Sequence, residues 1–188
     1  MHPVSPYNHR RFIRRLAIAG LVVLTFAAGV PASERPMAYE VKAAFLERFG
    51  KFVEWPETAF ADSQVPLVIG IVGSDPFHGV LEDLAANERI NGHRVEIRHL
   101  DDVAGLKSCH ILYIPAGEKN RERELLDAVA GAGVLTVSDI DDFCASGGMI
   151  QFVLENDRVH FEVNNDVARA AGLKISSKLL TLAKSVKR

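Results

Sequence analysis

The chain has 188 residues, with 22 Lys or Arg and 24 Asp or Glu side chains, which suits one domain of ordinary size plus a targeting segment. Four of the basic residues are arginines within residues 1–32, a segment without acidic residues, so the remainder has 18 basic and 24 acidic side chains and a formal charge of −6. Phosphate binding requires a basic surface, so this charge excludes nucleic acid as the expected partner.

The N-terminus has the pattern of a secretory signal peptide. Arg10-Arg11 and Arg14-Arg15 precede an apolar stretch from Leu16 to Ala28, and a run of small residues ends at Ala32. This order of regions predicts cleavage after Ala32. An uncleaved anchor is disfavoured because the apolar stretch has only 13 residues, whereas a membrane-spanning helix needs about 20. We expect removal of residues 1–32, and a single secreted domain over residues 33–188.

The first predicted element of that domain is an amphipathic helix over residues 38–54. Trp55-Pro56 should end it, because the residue before a proline disfavours helical geometry. The i, i+3, i+4 spacing predicts a buried face of Val41, Ala44, Phe45, Phe49 and Phe52, with Lys42, Glu47, Lys51 and Glu54 elsewhere on the helix.

Alternating strands and helices are predicted next. Short apolar runs indicate strands at 67–72, 95–99, 111–114 and 134–137, with a turn at Asn91-Gly92 before the second. A short helix through Val80, Leu81 and Leu84 follows the first strand, and Gly73-Ser74-Asp75-Pro76 is expected to supply its turn, its capping side chains and a proline in its first turn. A longer helix over 119–130 precedes the fourth strand. Such alternation favours a parallel sheet.

The C-terminal part departs from this alternation. Met149–Leu154 and Val159–Val163 flank Asn156-Asp157 and predict a hairpin. Two helices follow, one from Asn164 or Asn165 to Gly172, the other from Ser176 or Ser177 with an apolar stripe of Leu179, Leu182, Ala183 and Val186. The predicted fold is a three-layer α/β sandwich, with a mainly parallel sheet extended by an antiparallel hairpin and helices on both faces.

The two cysteines are predicted to be unpaired. Cys109 precedes its strand and Cys144 follows the next parallel strand, which places them at opposite ends of the sheet, roughly 15 Å apart. A disulfide requires Cα atoms within about 7 Å, so pairing would need the 139–148 loop to fold back.

Motifs for catalysis, cofactors and metals are missing from the sequence. It has no HExxH, CxxC, GxSxG or P-loop pattern, and its histidines do not pair with other ligand types at metal-binding spacing. Ser176-Ser177-Lys178 lacks the SxxK spacing, and helix capping explains its serines. We predict no enzyme activity, no cofactor and no metal; an unrecognised hydrolase is the least favoured alternative.

Two places are candidates for binding. Ser74-Asp75 and Ser138-Asp139 follow the first and fourth strands, at the carboxyl edge where open α/β sheets bind ligands. They form a candidate ligand or partner loop. Trp55, at the exit of the first helix, is a candidate for a protein-binding patch, although core packing is favoured for the aromatic stripe as a whole.

Motifs spread in order over most of the chain resemble those of one family, the YfiR-like periplasmic regulatory proteins. The closing segment 172–180, Gly-Leu-Lys-Ile-Ser-Ser-Lys-Leu-Leu, is the most specific of them. The others lie at residues 41–46, 51–56, 73–77, 109–114, 135–139, 147–150 and 161–164.

The resemblance implies a compact α/β periplasmic protein without catalytic activity. The named family member represses a membrane-bound diguanylate cyclase by engaging its periplasmic part, and redox state and an outer-membrane lipoprotein feed into that control. This chain has only two cysteines, which disfavours redox-dependent control of its activity. The predicted function is repression of such a cyclase, with its periplasmic part as partner and an outer-membrane lipoprotein as a second candidate. The alternative is a periplasmic small-molecule receptor that uses the strand-end loops.

Overall fold

The structure is a computed structural model that describes residues 34–62 and 64–188. The predicted signal peptide and its cleavage after Ala32 lie outside the described residues and stay predictions. Within the described part of the chain, no helix is both long enough and apolar enough to cross a membrane.

Eight strands form one mixed sheet in the order β10-β8-β7-β6-β5-β2-β4-β3, and two short strands, β1 and β9, pair separately. The pairs β7–β8 and β3–β4 are antiparallel, and the other neighbours in the large sheet are parallel. The bounds are β1 Val53–Glu54, β2 Leu67–Val72, β3 Arg89–Ile90, β4 His93–Leu100, β5 Ile111–Ile114, β6 Leu135–Ser138, β7 Ile150–Glu155, β8 Arg158–Asn164, β9 Lys174–Ile175 and β10 Ser185–Lys187.

Within the described residues, five α-helices flank the sheet: α1 Glu34–Phe52, α2 Val80–Ala85, α3 Glu122–Val129, α4 Asn165–Ala170 and α5 Ser177–Leu182. Alternate residues of the central strands enter two separate cores. Ile69, Ile71 and Tyr113 pack with residues of α1, α2, α4 and α5, whereas Val68 and Leu112 pack with residues of α3. This arrangement confirms the predicted three-layer sandwich with helices on both faces.

Several local signals predict their elements correctly. The strands at 67–72 and 111–114 have the predicted bounds, and the hairpin of β7 and β8 turns at Asn156-Asp157, both with positive φ. The Asn164 side chain caps α4 by accepting from the Val167 N–H, and the Ser176 hydroxyl caps α5 by accepting from the Leu179 N–H. These signals are local hydrogen bonds and backbone preferences, which is why sequence alone detects them.

The prediction for the first helix is wrong at its end and only partly correct for its buried face, where Phe49 is buried and Phe45 and Phe52 pack against the core. Val53 and Glu54 leave the helix to pair with Ile175 and Lys174, so α1 ends two residues early. Its fully buried side chains include Ala43, Leu46 and Phe49, whereas Val41 is exposed and Phe45 is half-buried. Lys42 and Glu47, expected away from the buried face, are both buried.

Three other elements also differ from the prediction. The helix expected at 119–130 is a 3-10 turn, Ala116–Arg121, followed by α3. The last helix ends at Leu182, which is exposed, and Val186 lies in strand β10 instead. Ser74, Asp75 and Pro76 do not start α2, since that helix begins at Val80 after Gly79, whose φ is 89°. Short strands and turns of this kind depend on tertiary pairing more than on local periodicity.

Candidate functional site

The predicted strand-end residues do share one edge of the sheet. Ile71 of β2 lies opposite Tyr113 of β5, which in turn lies opposite Val137 of β6. The three parallel strands therefore end together, and the segments at 73–75 and 138–139 both follow this carboxyl edge. Helix α1 supplies two further side chains to it, Tyr39 and Lys42, through contacts with Asp139.

Asp139 is the centre of a polar cluster at this edge. Its Oδ2 accepts from Lys42 Nζ at 2.6 Å and from Tyr39 OH at 3.1 Å, and its Oδ1 accepts from the Ala116 N–H at 2.8 Å. The Lys42 and Asp139 side chains are 10% and 8% exposed. Lys42 Nζ also lies 4.3 Å from the centroid of the Tyr39 ring. Asp139 thus joins α1, the end of β6 and the segment after β5.

Ser138 is a second internal link. Its hydroxyl donates to the Ile114 carbonyl at 2.6 Å and accepts from the Ile140 N–H at 2.9 Å, and the residue is fully buried. By both donating and accepting a hydrogen bond, the Ser138 hydroxyl holds the ends of β5 and β6 in register. The structure therefore places Ser138 and Asp139 in internal contacts.

The loop after β2 is the accessible part of the edge. Ser74 is exposed and Asp75 is half-buried, with Asp75 Oδ1 accepting from the Phe77 N–H at 2.7 Å. Gly73 has a φ of 66°, a left-handed conformation that residues with a Cβ rarely adopt, so glycine suits this position. Of the four predicted loop residues, Ser74 is the one whose side chain is free to meet a partner surface.

Tyr113 underlies this edge and was missed by the sequence analysis. Its ring centroid lies 4.8 Å from that of Phe77, which meets the Tyr39 ring edge-on at 5.9 Å. Burial raises the pKa of the Tyr113 phenol far above its ordinary value, and the charge of Asp139 raises it further. Tyr113 is therefore neutral and does not act as a base. Lys42 was missed because its partner is 97 residues away in the chain.

Trp55 belongs to a different place, at the amino ends of the strands. Its ring meets Phe60 and His110 edge-on, with centroids at 6.5 and 6.1 Å. Phe60 lies between two imidazoles, His93 at 4.0 Å and His110 at 4.3 Å. Trp55 is half-buried in this stack, so only part of its ring is left for the predicted partner patch.

His110 holds this aromatic stack against the sheet. Its Nδ1 accepts from the Val68 N–H at 3.0 Å, so the proton of the neutral ring is on Nε2, which donates to the Ala59 carbonyl at 3.2 Å. Burial lowers the pKa of His110, and the neighbouring His93 lowers it further. The neutral imidazole satisfies one donor and one acceptor, whereas the cation would face the Val68 N–H with a second N–H.

Both cysteines are buried free thiols in separate surroundings. Cys109 packs on the α3 side of the sheet, where a Cβ on Gly70 would lie 2.6 Å from its sulfur. The Cys144 sulfur lies 3.6 Å from the carbonyl oxygens of Met149 and Glu162. Burial raises the pKa of each thiol to about 11. Thiols in this state are weak nucleophiles at neutral pH.

Three cavities in the described part of the chain lie away from the carboxyl edge. One of about 390 Å³ is lined by residues of 85–89 and 94–96, and another of similar volume lies between α3 and α4. A third, of about 460 Å³, is lined by residues between Asn165 and Ile175. None of these three is lined by the predicted strand-end residues. Beside Asp139, the side chains of Tyr39 and Lys42 from α1 contact its carboxylate.

The fold and the cluster define an α/β sandwich domain whose strand-end polar groups are largely committed to internal contacts. A model of the YfiR/HmsC-like family matches residues 39–184, and the chain belongs to that family. This confirms the resemblance that the sequence motifs indicated.

Two solved structures share the fold. A conserved domain protein from Vibrio cholerae is 12% identical with a TM-score of 0.54, and the match covers 79% of this chain and 60% of that one. The ABC domain from Streptococcus pneumoniae, solved in complex with L-Trp, is 11% identical with a TM-score of 0.51 and the same coverage. The chain therefore spans less than two thirds of either protein, and at this identity the likeness concerns the fold alone.

Proposed function

We propose that this protein is a non-catalytic periplasmic regulator that represses a membrane-bound diguanylate cyclase by binding the cyclase's periplasmic part. The observation that carries the proposal is membership of the YfiR/HmsC-like family over residues 39–184. The signal-peptide pattern of residues 1–32 supports the periplasmic location. An outer-membrane lipoprotein is proposed as a second partner.

The structural roles of the potentially reactive side chains support a function without catalysis. Asp139 and Ser138 are buried and bonded within the domain, and Ser176 caps α5. Burial raises the pKa of both cysteine thiols to about 11. A nucleophile requires a neighbouring base or a lowered pKa, and these groups are instead held in structural contacts.

Repression of this kind requires unequal binding to the two states of the cyclase. A regulator shifts its partner only by the ratio of its affinities for the active and inactive states. Moving an equilibrium from almost fully active to almost fully inactive requires a ratio of about 10⁴. We place part of the contact on the loop of Ser74, because this side chain is exposed while Ser138 and Asp139 are not.

The test is the intracellular level of cyclic di-GMP in the native host with the gene deleted and then restored in two forms. The full chain should lower a level that deletion has raised. A chain lacking residues 2–32, retained in the cytoplasm, should not lower it. An unchanged level on deletion, or equal rescue by both forms, would contradict periplasmic repression.

A matched pair of variants tests the proposed contact separately. Ser74→Arg places a bulky cation on the loop, and Ser177→Arg places the same side chain on another exposed serine, at the start of α5. Ser74→Arg should lose repression while Ser177→Arg keeps it. Equal repression by both variants would move the contact elsewhere and leave export-dependent repression intact.

A further inference from the structure

A group of three potential metal ligands lies beside the exposed loop. Asp75 follows β2, Glu82 is in the first turn of α2, and His99 is near the end of β4. One ligand atom from each side chain lies within 4.8 Å of the other two. His99 lies opposite Ile71 in the sheet register, so His99 is at the carboxyl edge of the sheet, close to the loop that follows β2.

Two features of Glu82 point to a ligand at this group, in which the His99 and Glu82 side chains are 50% and 37% exposed. Its Oε1 lies 2.8 Å from His99 Nε2, so a proton bridges the two atoms at the place where a cation would bind. Its Oε2 has no accessible surface and, among the described residues, no hydrogen-bond partner. A carboxylate oxygen hidden from water is costly unless a donor or a cation compensates it.

We propose that Asp75, Glu82 and His99 bind a divalent transition-metal ion, with Zn²⁺ as the probe. One imidazole nitrogen and two carboxylate oxygens form a donor set that zinc accepts, with waters at the remaining positions. Ligand atoms on a tetrahedral zinc lie about 3.4 Å apart. The widest separation in the group, within 4.8 Å, would close by at most about 1.4 Å, and Glu82 Oε1 and His99 Nε2, which are 2.8 Å apart, would separate by about 0.6 Å. His99 is exposed and the two carboxylates are half-exposed, which leaves the site open to solvent.

A bound ion would join three elements that the sequence separates. The loop carrying Asp75, helix α2 and strand β4 would be held together at one point, and His99 would bind through Nε2 with its proton moved to Nδ1. The sequence alone does not reveal this group because its ligands lie on different elements, at spacings that match no metal motif. This inference does not depend on the proposed repression.

The experiment measures zinc binding by the protein purified after expression of the full chain, without a histidine tag. The unsubstituted protein should bind one zinc ion per chain. Asp75→Asn, Glu82→Gln and His99→Gln should each weaken binding by at least about tenfold. Asp83→Asn, an exposed carboxylate on the same helix, and His160→Gln, a histidine of β8, are controls that should stay within about twofold of the unsubstituted protein.

Melting in the presence of a chelator distinguishes loss of ligands from loss of folding. All variants should melt like the unsubstituted protein in EDTA, and zinc should raise the melting temperature of all except the three ligand variants. Mg²⁺ prefers sites made of oxygen and should not compete at equal concentration. Zinc affinity that is unchanged by the three substitutions, or effective competition by Mg²⁺, would overturn the proposal.

Discussion

Replacing Lys42 by methionine removes an ammonium group from beside Asp139 and keeps most of the aliphatic stem. The two side chains are 10% and 8% exposed and their charged atoms are 2.6 Å apart. Removing one member of a buried ion pair leaves the other charged and costs about 3–5 kcal/mol. Asp139 would retain its bonds from Tyr39 and Ala116, so we expect a loss for Lys42→Met near the lower limit, about 3 kcal/mol.

Asp139→Asn gives the second half of a double-mutant cycle. The amide oxygen can still accept from the Ala116 N–H, but the ammonium of Lys42 would be left without its counter-charge, and the expected loss is again about 3 kcal/mol. The double variant removes both charges. It should lose about 4 kcal/mol instead of about 6, because contacting residues couple by up to about 3 kcal/mol.

The assay is urea unfolding followed by the fluorescence of Trp55, the single tryptophan, and by circular dichroism. Lys184→Met is the control, because Lys184 also pairs with a carboxylate, that of Glu155, but the two side chains are 38% and 48% exposed. Exposed pairs contribute less than about 1 kcal/mol. Equal losses for Lys42→Met and Lys184→Met, or strictly additive losses in the cycle, would refute the view that Asp139 links α1 to the sheet.

Three further predictions concern packing, pH and thiol reactivity. Gly148→Ala should lower the free energy of unfolding by more than about 2 kcal/mol in the same assay, because the added Cβ would overlap the Phe143 ring. Gly117→Ala is the control: the space around its Cβ is open, so the free energy of unfolding should change by less than about 0.5 kcal/mol. Folding lowers the pKa of His110 below 6.5, so the stabilising contribution of the neutral imidazole should be complete above that pH and lost as the pH falls toward the folded-state pKa. His110→Gln should therefore flatten the dependence of the unfolding free energy on pH over this range. An equal dependence in both proteins would contradict the lowered pKa of His110. Both cysteines should react with an aromatic disulfide reagent far more slowly in the native protein than in denaturant, and fast native labelling would refute their burial.

The sequence predicted elements that local chemistry specifies. Strand β2 is a continuous apolar run because both faces of the sheet are covered, and the caps Asn164 and Ser176 satisfy N–H groups only three residues away. The carboxyl edge followed from topology, since parallel strands end together. These features required no knowledge of distant contacts.

Several features that sequence reasoning missed depend on distant partners. Strand β1 exists because it pairs with β9, more than a hundred residues away, and a pair of two-residue strands has no periodicity to detect. Lys42 looked like a solvated side chain because nothing near it in the sequence indicates Asp139. Glu82 and His99 are likewise 17 residues apart and meet only when α2 packs beside β4.

Addition of the purified protein to spheroplasts tests the proposed repression most directly. Spheroplasts of the deletion strain expose the periplasmic face of the inner membrane, so added protein reaches the cyclase without being exported. Cyclic di-GMP should fall in a saturable, dose-dependent way with the native protein and stay unchanged with heat-denatured protein. A level that does not respond to the folded protein would contradict repression through direct contact at that face.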